Sequence, residues 1–580
     1  MQKELLGIKN KNGFFLTEAI ISAGIFMIIV AAVSASYFAV SRYVLSAGAE
    51  TQALSFAQEG LEAVRNIRDN NFASLAAGGP YGLSSVGNAW SFSGTQDVND
   101  IYTRKISITA PSADTRQVTA QISWTYKGEN KSLTQQREFT SWRSAKIKLR
   151  GGVLVYADGG TSADAIKYRV MDNNAFTWNT ASSVADIDSS TTNKVPYELK
   201  LYASKTRNEK VLISRHYNGT AQSIYAQVYN GTSWGNVQLL ATWNAATFLD
   251  VQNFDGTYLN NGDFMTVFSD NSVTPKTRTW NGSAWGSQSS LTTLGSSQTP
   301  NYIVTRTRPG TNEVMAAFFT QGSDTITQYY SGSTWSAITT HSTSAPLNTK
   351  QLVDFVWSPN TTTKGAMVFS NGNVRYMSIR IWTANGSGSG SWSAVANTSN
   401  FAAATTRVGS VSVSGRKGAD AFLACVKDSI PSISCYESNM TPVFINPSNQ
   451  TMTASSDTGI EKSQDIAYEA TSGTEAIAVY SDNTSTPKLK KYNPIANSFD
   501  AAAASAGTLS ATLRGVSLVS LEDGDDIMAV LMNGTRVYTE DWDGANNAIY
   551  SAPAGKAFST HGTNGPSATS FWADFAWDAN

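Results

Sequence analysis

Two stretches of this sequence decide the fold: VFSDNSVTPK at Val267–Lys276 and VYSDNTSTPK at Val479–Lys488. Each joins the end of a short apolar strand to a polar turn. Similar apolar segments occur eight times after residue 150, at intervals of 50 to 58 residues. A fixed period of this length indicates a repeat architecture. The eight segments begin at Val153, Val211, Met265, Met315, Ala366, Phe422, Ile477 and Met528.

A second recurring feature is a turn in which an aromatic residue precedes Asn or Ser, Gly and, three residues on, Trp. The copies are Tyr229-Asn230-Gly231 before Trp234, Trp280-Asn281-Gly282 before Trp285, and Tyr330-Ser331-Gly332 before Trp335. About four strands fit into each repeat, and periodic Gly and aromatic residues at this length are typical of β-propeller blades. A stacked solenoid is the alternative.

The end of the chain favours a closed ring over a solenoid. Ala573–Asp578 is similar to Val353–Ser358, which opens the fifth repeat, whereas the first repeat lacks such an opening strand. A C-terminal strand that completes the first blade would leave the sheet ring without open edges. We therefore predict an all-β, eight-bladed propeller over residues 151–580.

Composition excludes several classes of function. The chain has 580 residues, with 43 Lys and Arg against 44 Asp and Glu, so no net field favours nucleic acid as a partner. Its two cysteines and three histidines are too few for a disulfide scaffold or a thiolate zinc centre. Several domains are expected at this length.

The N-terminus has a different character. Residues 1–13, MQKELLGIKNKNG, are polar and basic, and the segment Phe14–Val40 is apolar with Glu18 as its only charge. This segment is long enough to span a bilayer as a transmembrane helix, with the basic side in the cytoplasm. A secretory signal would have a shorter apolar stretch with its cleavage site after it. A plain membrane anchor is the alternative, but a carboxylate inside a spanning helix costs about 2–3 kcal/mol and usually marks a functional contact.

Lys11-Asn12-Gly13-Phe14-Phe15-Leu16-Thr17-Glu18 resembles the signal of type IV prepilins. The resemblance covers roughly the first 40 residues. It implies that a prepilin peptidase cuts after Gly13 and N-methylates Phe14. It also implies that Glu18 pairs with the terminal amine of another pilin subunit during filament assembly. The protein would first lie in the cytoplasmic membrane and later in an extracellular filament at the cell surface.

We expect the helix to continue beyond the membrane, because apolar residues recur at three- and four-residue steps up to Ile67. The stretch Ala57–Phe72 resembles the helix end of minor pilins and pseudopilins. Residues 41–145 would then form this helix end and a small antiparallel sheet, giving an α+β N-terminal module. The clearest strand is Gln117–Tyr126, followed by a turn at Lys127–Asn130.

The sequence offers little evidence of catalysis. The Asn-Gly-x-x-Trp turns faintly resemble the Asp-box of sialidases, but Tyr229, Trp280 and Tyr330 stand where the aspartate belongs. No Ser–His–Asp order, zinc-protease motif or phosphate-binding loop is present. We predict no catalytic residue, no metal site and no enzyme, with a glycosidase acting through paired carboxylates as the alternative.

Binding features are weaker and each has a structural alternative. Polar residues end the second strand of several repeats and could form a ligand face for a surface glycan or protein, or could simply close their turns. These residues are Asp158, Asn218, Asp270, Asn371, Asp428, Asp482 and Asn533. The acidic run Glu522–Asp526 could hold Ca²⁺, but it lacks the EF-hand spacing, which favours a solvated loop. Cys425 and Cys435 could form a disulfide or remain buried thiols.

The leading hypothesis is a minor type IV pilin-like subunit that displays a propeller for adhesion or recognition. The alternatives are a pseudopilin of a type II secretion or DNA-uptake system, a surface-tethered glycan hydrolase, and an anchored protein that never enters a filament.

Overall fold

The computed structural model divides the chain into an N-terminal unit, Met1–Ile147, and a C-terminal unit, Lys148–Asn580. The leader residues up to Lys11 and the connector Arg143–Arg150 lie outside the described residues. The structure describes residues 12–70, 72–86, 89–111, 115–140, 151–160, 165–171, 177–187, 194–245, 251–345, 351–372, 376–386, 388–398, 407–429, 432–456, 462–505, 507–544, 548–549, 559–566 and 570–578.

The N-terminal unit begins with a single long helix, α1 (Asn12–Asn70). Its 59 residues correspond to roughly 88 Å at 1.5 Å per residue. The predicted continuation beyond the apolar segment is confirmed, since α1 ends at Asn70, three residues after Ile67. The first proline of the chain, Pro80, comes only after the helix has ended. From Leu16 to Val40 the side chains are exposed on every side, whereas one face is buried after Ala53.

A short 3-10 helix (Phe72–Ser74) and seven strands follow α1. The main sheet has the antiparallel order β1-β5-β6-β7 with β4 beside β5, and β2 and β3 form a separate hairpin. The strands are β1 (Gly78–Tyr81), β2 (Leu83–Val86), β3 (Ala89–Phe92), β4 (Asp97–Asn99), β5 (Tyr102–Thr109), β6 (Thr115–Tyr126) and β7 (Glu129–Thr140).

The turn between β6 and β7 is tighter than the sequence indicated. Lys127 (φ 50°) and Gly128 (φ 82°) form a two-residue loop, and Tyr126 pairs directly with Glu129. Two successive left-handed residues match the twist of a hairpin. The predicted four-residue turn is therefore wrong, because its last two residues already belong to the returning strand.

Alternating residues of β5 and β6 pack on the buried face of α1. Ile106, Val118, Ala120 and Ile122 are fully or almost fully buried in one cluster with Val64 and other α1 residues. This period of two is the pattern from which the strand was predicted. The N-terminal unit thus has one core, between the second half of α1 and the sheet.

One polar contact fixes the helix on this sheet. The guanidinium of Arg104, 2% exposed, donates to Asp97 (2.8 Å) and to the backbone carbonyl of Phe56 (2.9 Å), and lies over the Phe56 ring. A Cβ on Gly60 would lie 2.8 Å from the Cδ of Arg104. Gly60 therefore provides the space through which Arg104 reaches α1.

The described part of the C-terminal unit contains eight antiparallel sheets of four or five strands. Sheet 1 combines both ends of the unit: β8 (Gly152–Ala157), β9 (Ile166–Met171), β10 (Ser182–Ser183) and β42 (Ala573–Trp577). Sheet 2 contains β11 (Val195–Ala203), β12 (Lys210–Tyr217), β13 (Ala221–Tyr229) and β14 (Trp234–Asn244). Sheet 3 contains β15 (Phe254–Tyr258), β16 (Phe264–Phe268), β17 (Lys276–Trp280) and β18 (Ser289–Ser290). Sheet 4 contains β19 (Pro300–Thr307), β20 (Val314–Thr320), β21 (Thr325–Tyr330) and β22 (Thr339–Ser342).

The remaining four sheets follow the same order along the chain. Sheet 5 contains β23 (Val353–Trp357), β24 (Lys364–Ser370), β25 (Met377–Ala384), β26 (Gly390–Trp392) and β27 (Ala396–Asn397). Sheet 6 contains β28 (Val408–Gly415), β29 (Phe422–Asp428), β30 (Ile433–Ser438) and β31 (Thr451–Thr453). Sheet 7 contains β32 (Gln464–Tyr468), β33 (Ala476–Tyr480), β34 (Lys488–Asn493), β35 (Ser498–Phe499) and β36 (Ala504–Ser505). Sheet 8 contains β37 (Gly515–Ser520), β38 (Ile527–Met532), β39 (Val537–Asp543), β40 (Ala548–Ile549) and β41 (Ser559–Thr560).

Each sheet has an inner strand that contacts the inner strands of the two neighbouring sheets. The inner strands are β42, β11, β15, β19, β23, β28, β32 and β37, and β37 contacts β42 in turn. The contacts therefore form a closed cycle. Ala573–Trp577 pairs with β8 along its whole length, which is the pairing expected from its similarity to Val353–Ser358. This strand order and cycle define a β-propeller.

The eight repeated apolar segments are the second strands of these sheets. Strands such as Phe264–Phe268 and Ile527–Met532 are buried at every residue, because neighbouring sheets cover both faces. A strand covered on both faces has a continuous apolar sequence, which explains why this strand dominated the repeat.

The inner strands are linked in couples. In every second sheet a buried aspartate of the inner strand accepts a backbone N–H from the next inner strand: Asp574 from Leu201 (2.9 Å), Asp255 from Thr305 (2.7 Å), Asp354 from Val413 (3.2 Å) and Asp465 from Leu518 (2.9 Å). Burial raises the pKa of the Asp354 and Asp574 carboxyls. Each of these four contacts thus joins one inner strand to the next along the cycle.

Candidate functional site

The apolar half of α1 carries the residues predicted to direct processing and assembly. By length and composition, α1 is a helix that could cross a membrane. Glu18 is exposed among exposed apolar neighbours such as Leu16 and Ile21. Gly13 and Phe14 lie in the first turns of α1, and the side chain of Phe14 is outside the described part of the structure.

The predicted ligand-face residues lie at or just after the end of the second strand of their sheets, but most of their side chains close their own turns. Asn218 accepts the backbone N–H groups of Thr220 (3.0 Å) and Ala221 (2.7 Å), and Asn533 accepts that of Arg536 (3.1 Å). Asp428 accepts the N–H of Ser432 (3.0 Å). These contacts are the role of Asx residues in tight turns.

The two matching turns of sheets 3 and 7 are alike atom by atom. Asp270 accepts the N–H of Ser272, and Asp482 accepts that of Thr484, each at 3.2 Å. The following residue is left-handed in both turns, with φ 66° at Asn271 and 67° at Asn483. The shared sequence therefore encodes a turn conformation.

Asp158 and Asn371 differ from this pattern. Asp158 accepts the N–H groups of Thr563 and Asn564, both at 3.1 Å, and so ties sheet 1 to the segment before β42. Asn371 directly follows β24, and residues 373–375 of its turn are not described. The predicted ligand face contains turn-closing groups at most of its positions.

Cys425 and Cys435 lie directly opposite each other in β29 and β30, with Cα atoms 4.0 Å apart and their sulfurs bonded. Both are buried in the cluster between sheets 6 and 7 with Ile466 and Tyr492. The disulfide crosses two strands that already pair through their backbones.

The acidic run in the turn after β37 does not converge on one point. Glu522 pairs with Lys205, whereas Asp525 accepts the N–H groups of Thr471 (3.0 Å) and Ser472 (2.8 Å). Over the described residues, no group of three or more His, Cys, Asp or Glu side chains could hold a metal ion. The carboxylates suggested for Ca²⁺ thus bind protein groups.

His216 and His561 are buried and His341 is half-buried, and all three contact side chains of the sheets. His341 accepts or donates at Thr327 (2.8 Å), and His561 does so at Thr539 (2.7 Å). Burial lowers the pKa of each imidazole to about 3, so both rings are neutral at physiological pH. Ser214 and His216 also contact each other at 2.8 Å, but both are fully buried in β12, where a substrate has no access.

Two adjoining cavities lie at the carboxyl ends of several inner strands. Cavity A, about 370 Å³, lies at the ends of β37, β42 and β11 and is lined by Leu201, Lys205, Val519, Glu522, Trp577 and Asp578 among others. Cavity B, about 340 Å³, lies at the ends of β11, β15 and β19 and includes Tyr202, Lys205, Tyr258, Asn260, Arg306 and Arg308. Lys205 borders both cavities.

Sequence reasoning did not identify these cavities. The inner strands that build them alternate polar and apolar residues, and no single motif marks them. A signal was nevertheless present, because Asp255, Asp354, Asp465 and Asp574 each occupy the second position of a short strand in every second repeat. That pattern locates the inner strands, although it does not reveal the side chains at their far ends.

Comparison with known proteins adds no argument about function. No protein-family description and no curated protein matches the chain. The BP39L lectin from Burkholderia pseudomallei is similar over 61% of this chain and 97% of its own, with 8% identity and a TM-score of 0.42. The NanB sialidase from Streptococcus pneumoniae matches over 78% and 89%, with 10% identity and a TM-score of 0.31. The Dos1 propeller matches over 68% and 85%, with 10% identity and a TM-score of 0.34. At these TM-scores the assignment of a β-propeller rests on the chain's own strand order.

Proposed function

We propose that this protein is a type IV pilin-like filament subunit, present in low copy or at the tip, whose eight-bladed β-propeller recognises a surface glycan or protein. The observation that carries the proposal is the difference between the two halves of α1. Its first half is apolar on every side, and its second half is buried against an antiparallel sheet.

The first half of α1 is suited to contact with other helices. Apolar side chains such as Phe26, Ile28 and Val33 are exposed around its circumference, and a helix that is apolar all round requires a membrane or other helices around it. Glu18 is the one charge in this half. A carboxylate in such surroundings is stabilised by a cation, and the methylated amine of Phe14 in a neighbouring subunit would supply it.

The second half of α1 supports the same proposal. Arg104 and the cluster around Val64 hold it on the sheet of the N-terminal unit. A helix that is fixed on a small domain at one end and free at the other can enter a filament core while its domain stays outside.

The eight sheets of the C-terminal unit support an eight-bladed ring. Each has an inner strand in the cycle of contacts, and β42 completes sheet 1. A domain of some 430 residues on each subunit would crowd a continuous helical array, which favours a low-copy or tip position. Recognition is the role we assign to so large a domain outside the filament core.

The proposal predicts that Glu18→Ala abolishes incorporation into filaments and leaves membrane insertion unchanged. Sheared filaments and membranes from cells that express each variant would be compared by quantitative immunoblotting. Glu50→Ala is the matched control, because Glu50 is an exposed acid of the same helix outside the apolar half.

Normal incorporation of the Glu18→Ala variant would remove the assembly role of this residue. Mass spectrometry of the parent protein tests the preceding step, since processing after Gly13 leaves N-methylated Phe14 as the first residue. A different mature N-terminus would overturn the pilin assignment.

A further inference from the structure

Cavity B has an unusual charge distribution. Three cationic side chains, Lys205, Arg306 and Arg308, contribute to its wall, and its lining over the described residues includes no Asp or Glu. The side chain of Lys205 is 66% exposed and that of Arg306 is 43% exposed. Arg308 pairs with the buried Glu313, whereas Lys205 pairs with Glu522, an exposed carboxylate in the lining of cavity A. Lys205 and Arg306 are therefore the two partly exposed cations of cavity B.

The guanidinium of Arg306 is fixed in position by contacts with protein groups. It bonds Asp255 (3.1 Å) and Asp354 (3.3 Å), both buried and both outside the cavity lining, and the carbonyl of Thr305 (3.0 Å). A guanidinium has five N–H donors. In the described part of the chain these contacts use three, so two donors have no protein partner.

The propeller fold does not require a cationic side chain at the position of Arg306. The carbonyl of Arg306 accepts the indole N–H of Trp357 (2.9 Å), and in sheet 8 the carbonyl of Val519 accepts that of Trp577 (2.8 Å). Val519 is thus the structural equivalent of Arg306. There the buried aspartate, Asp465, is balanced by Lys462 (3.0 Å), which lies outside both cavities.

We propose that cavity B binds the carboxylate of an acidic sugar residue. The free N–H groups of Arg306 contact the carboxylate, because a fixed guanidinium fork matches the geometry of a carboxylate. The ammonium group of Lys205 exchanges its exposed partner Glu522 for the same carboxylate. The exposed amide of Asn260 contacts hydroxyl groups of the sugar ring. A volume of about 340 Å³ lies at the lower end of the range of small-molecule sites. This inference rests on the proposed recognition role and specifies its ligand.

The test is a titration of the purified full-length chain in detergent, followed by saturation-transfer NMR. Trigalacturonate is the acidic probe and maltotriose is the neutral probe of equal length. We expect trigalacturonate to bind, with weaker binding at higher salt, and maltotriose not to bind. Lys205→Glu and Arg306→Lys should each lower the affinity at least tenfold. Lys491→Ala, on β34, is the control cation outside the cavity.

Lys205→Glu keeps the test decisive if Arg306→Lys proves unstable, since the Lys205 side chain is mostly exposed. Equal binding of the two sugars, unchanged affinity in Lys205→Glu, or no binding of trigalacturonate at low salt would each overturn the proposal. The assay needs no filament. If the parent protein binds the sugar but is absent from filaments, the result would therefore contradict the pilin role alone.

Discussion

Gly60 is the residue on which the packing of the N-terminal unit depends. Its missing side chain gives Arg104 access to the backbone of α1, where Arg104 also meets Asp97. The helix contains other glycines, and a Cβ on Gly48 would meet nothing within 4 Å. The two positions therefore separate the effect of close packing from that of helix propensity.

We expect Gly60→Val to destabilise the N-terminal unit by about 1–3 kcal/mol, because the added side chain would displace a pinned guanidinium. Gly48→Val makes the same change of helix propensity without the clash and should leave stability nearly unchanged. Amide hydrogen exchange of β5 and β6 measures the local opening free energy. Equal protection in both variants would show that Arg104 can move aside at little cost.

At the scale of elements, some strands can be recognised from the sequence more readily than others. The second strands were recognised because neighbouring sheets bury both of their faces, as in Phe264–Phe268. The couples of inner strands were not recognised, because each depends on a carboxylate such as Asp255 reaching the backbone of another sheet. Contacts of that kind join residues 50 or more positions apart and leave no local period. Cavity B is built from the same strands and escaped prediction for the same reason.

The hairpin of β29 and β30 carries the disulfide, whose cysteines are 10 positions apart. The bond restricts the unfolded chain, and for a loop of this length we expect it to contribute about 2–3 kcal/mol. The double variant Cys425→Ala and Cys435→Ala should show this loss in denaturant unfolding. Parent protein kept in reductant is the control and should unfold at nearly the same denaturant concentration. Identical curves for the oxidised parent and the variant would show that the bond adds nothing to the backbone pairing.

At the scale of the whole molecule, ring closure depends on the last strand. β42 pairs with β8, contacts β11 and β37, and places Phe575 and Trp577 in the cluster between sheets 8 and 1. The sequence predicted this closure through the similarity of Ala573–Asp578 to Val353–Ser358. It did not reveal that Asp574 also binds the backbone of sheet 2.

A chain that ends at Ser570 should lose the closed ring. Each large apolar side chain removed from the core costs roughly 1.5–3 kcal/mol, and the freed edge of β8 becomes a site for aggregation. Light scattering after size-exclusion chromatography and thermal unfolding measure both effects. A chain that lacks only residues 579 and 580 is the control. A monomeric truncated chain with the melting temperature of the parent would show that the ring is stable without β42.

The pairing of β8 also determines how the C-terminal unit responds to mechanical load. β8 directly follows Gly151, whose carbonyl accepts the N–H of Asp578 (2.8 Å), and it is paired on one side with β42 and on the other with β9. A pulling force that reaches this unit through the backbone at Gly151 acts on a strand with two complete ladders of hydrogen bonds. Both ladders must shear before the strand leaves its sheet, so rupture under tension is governed by a slow unfolding step. The strand that closes the ring, β42, therefore also resists the extraction of β8 under load.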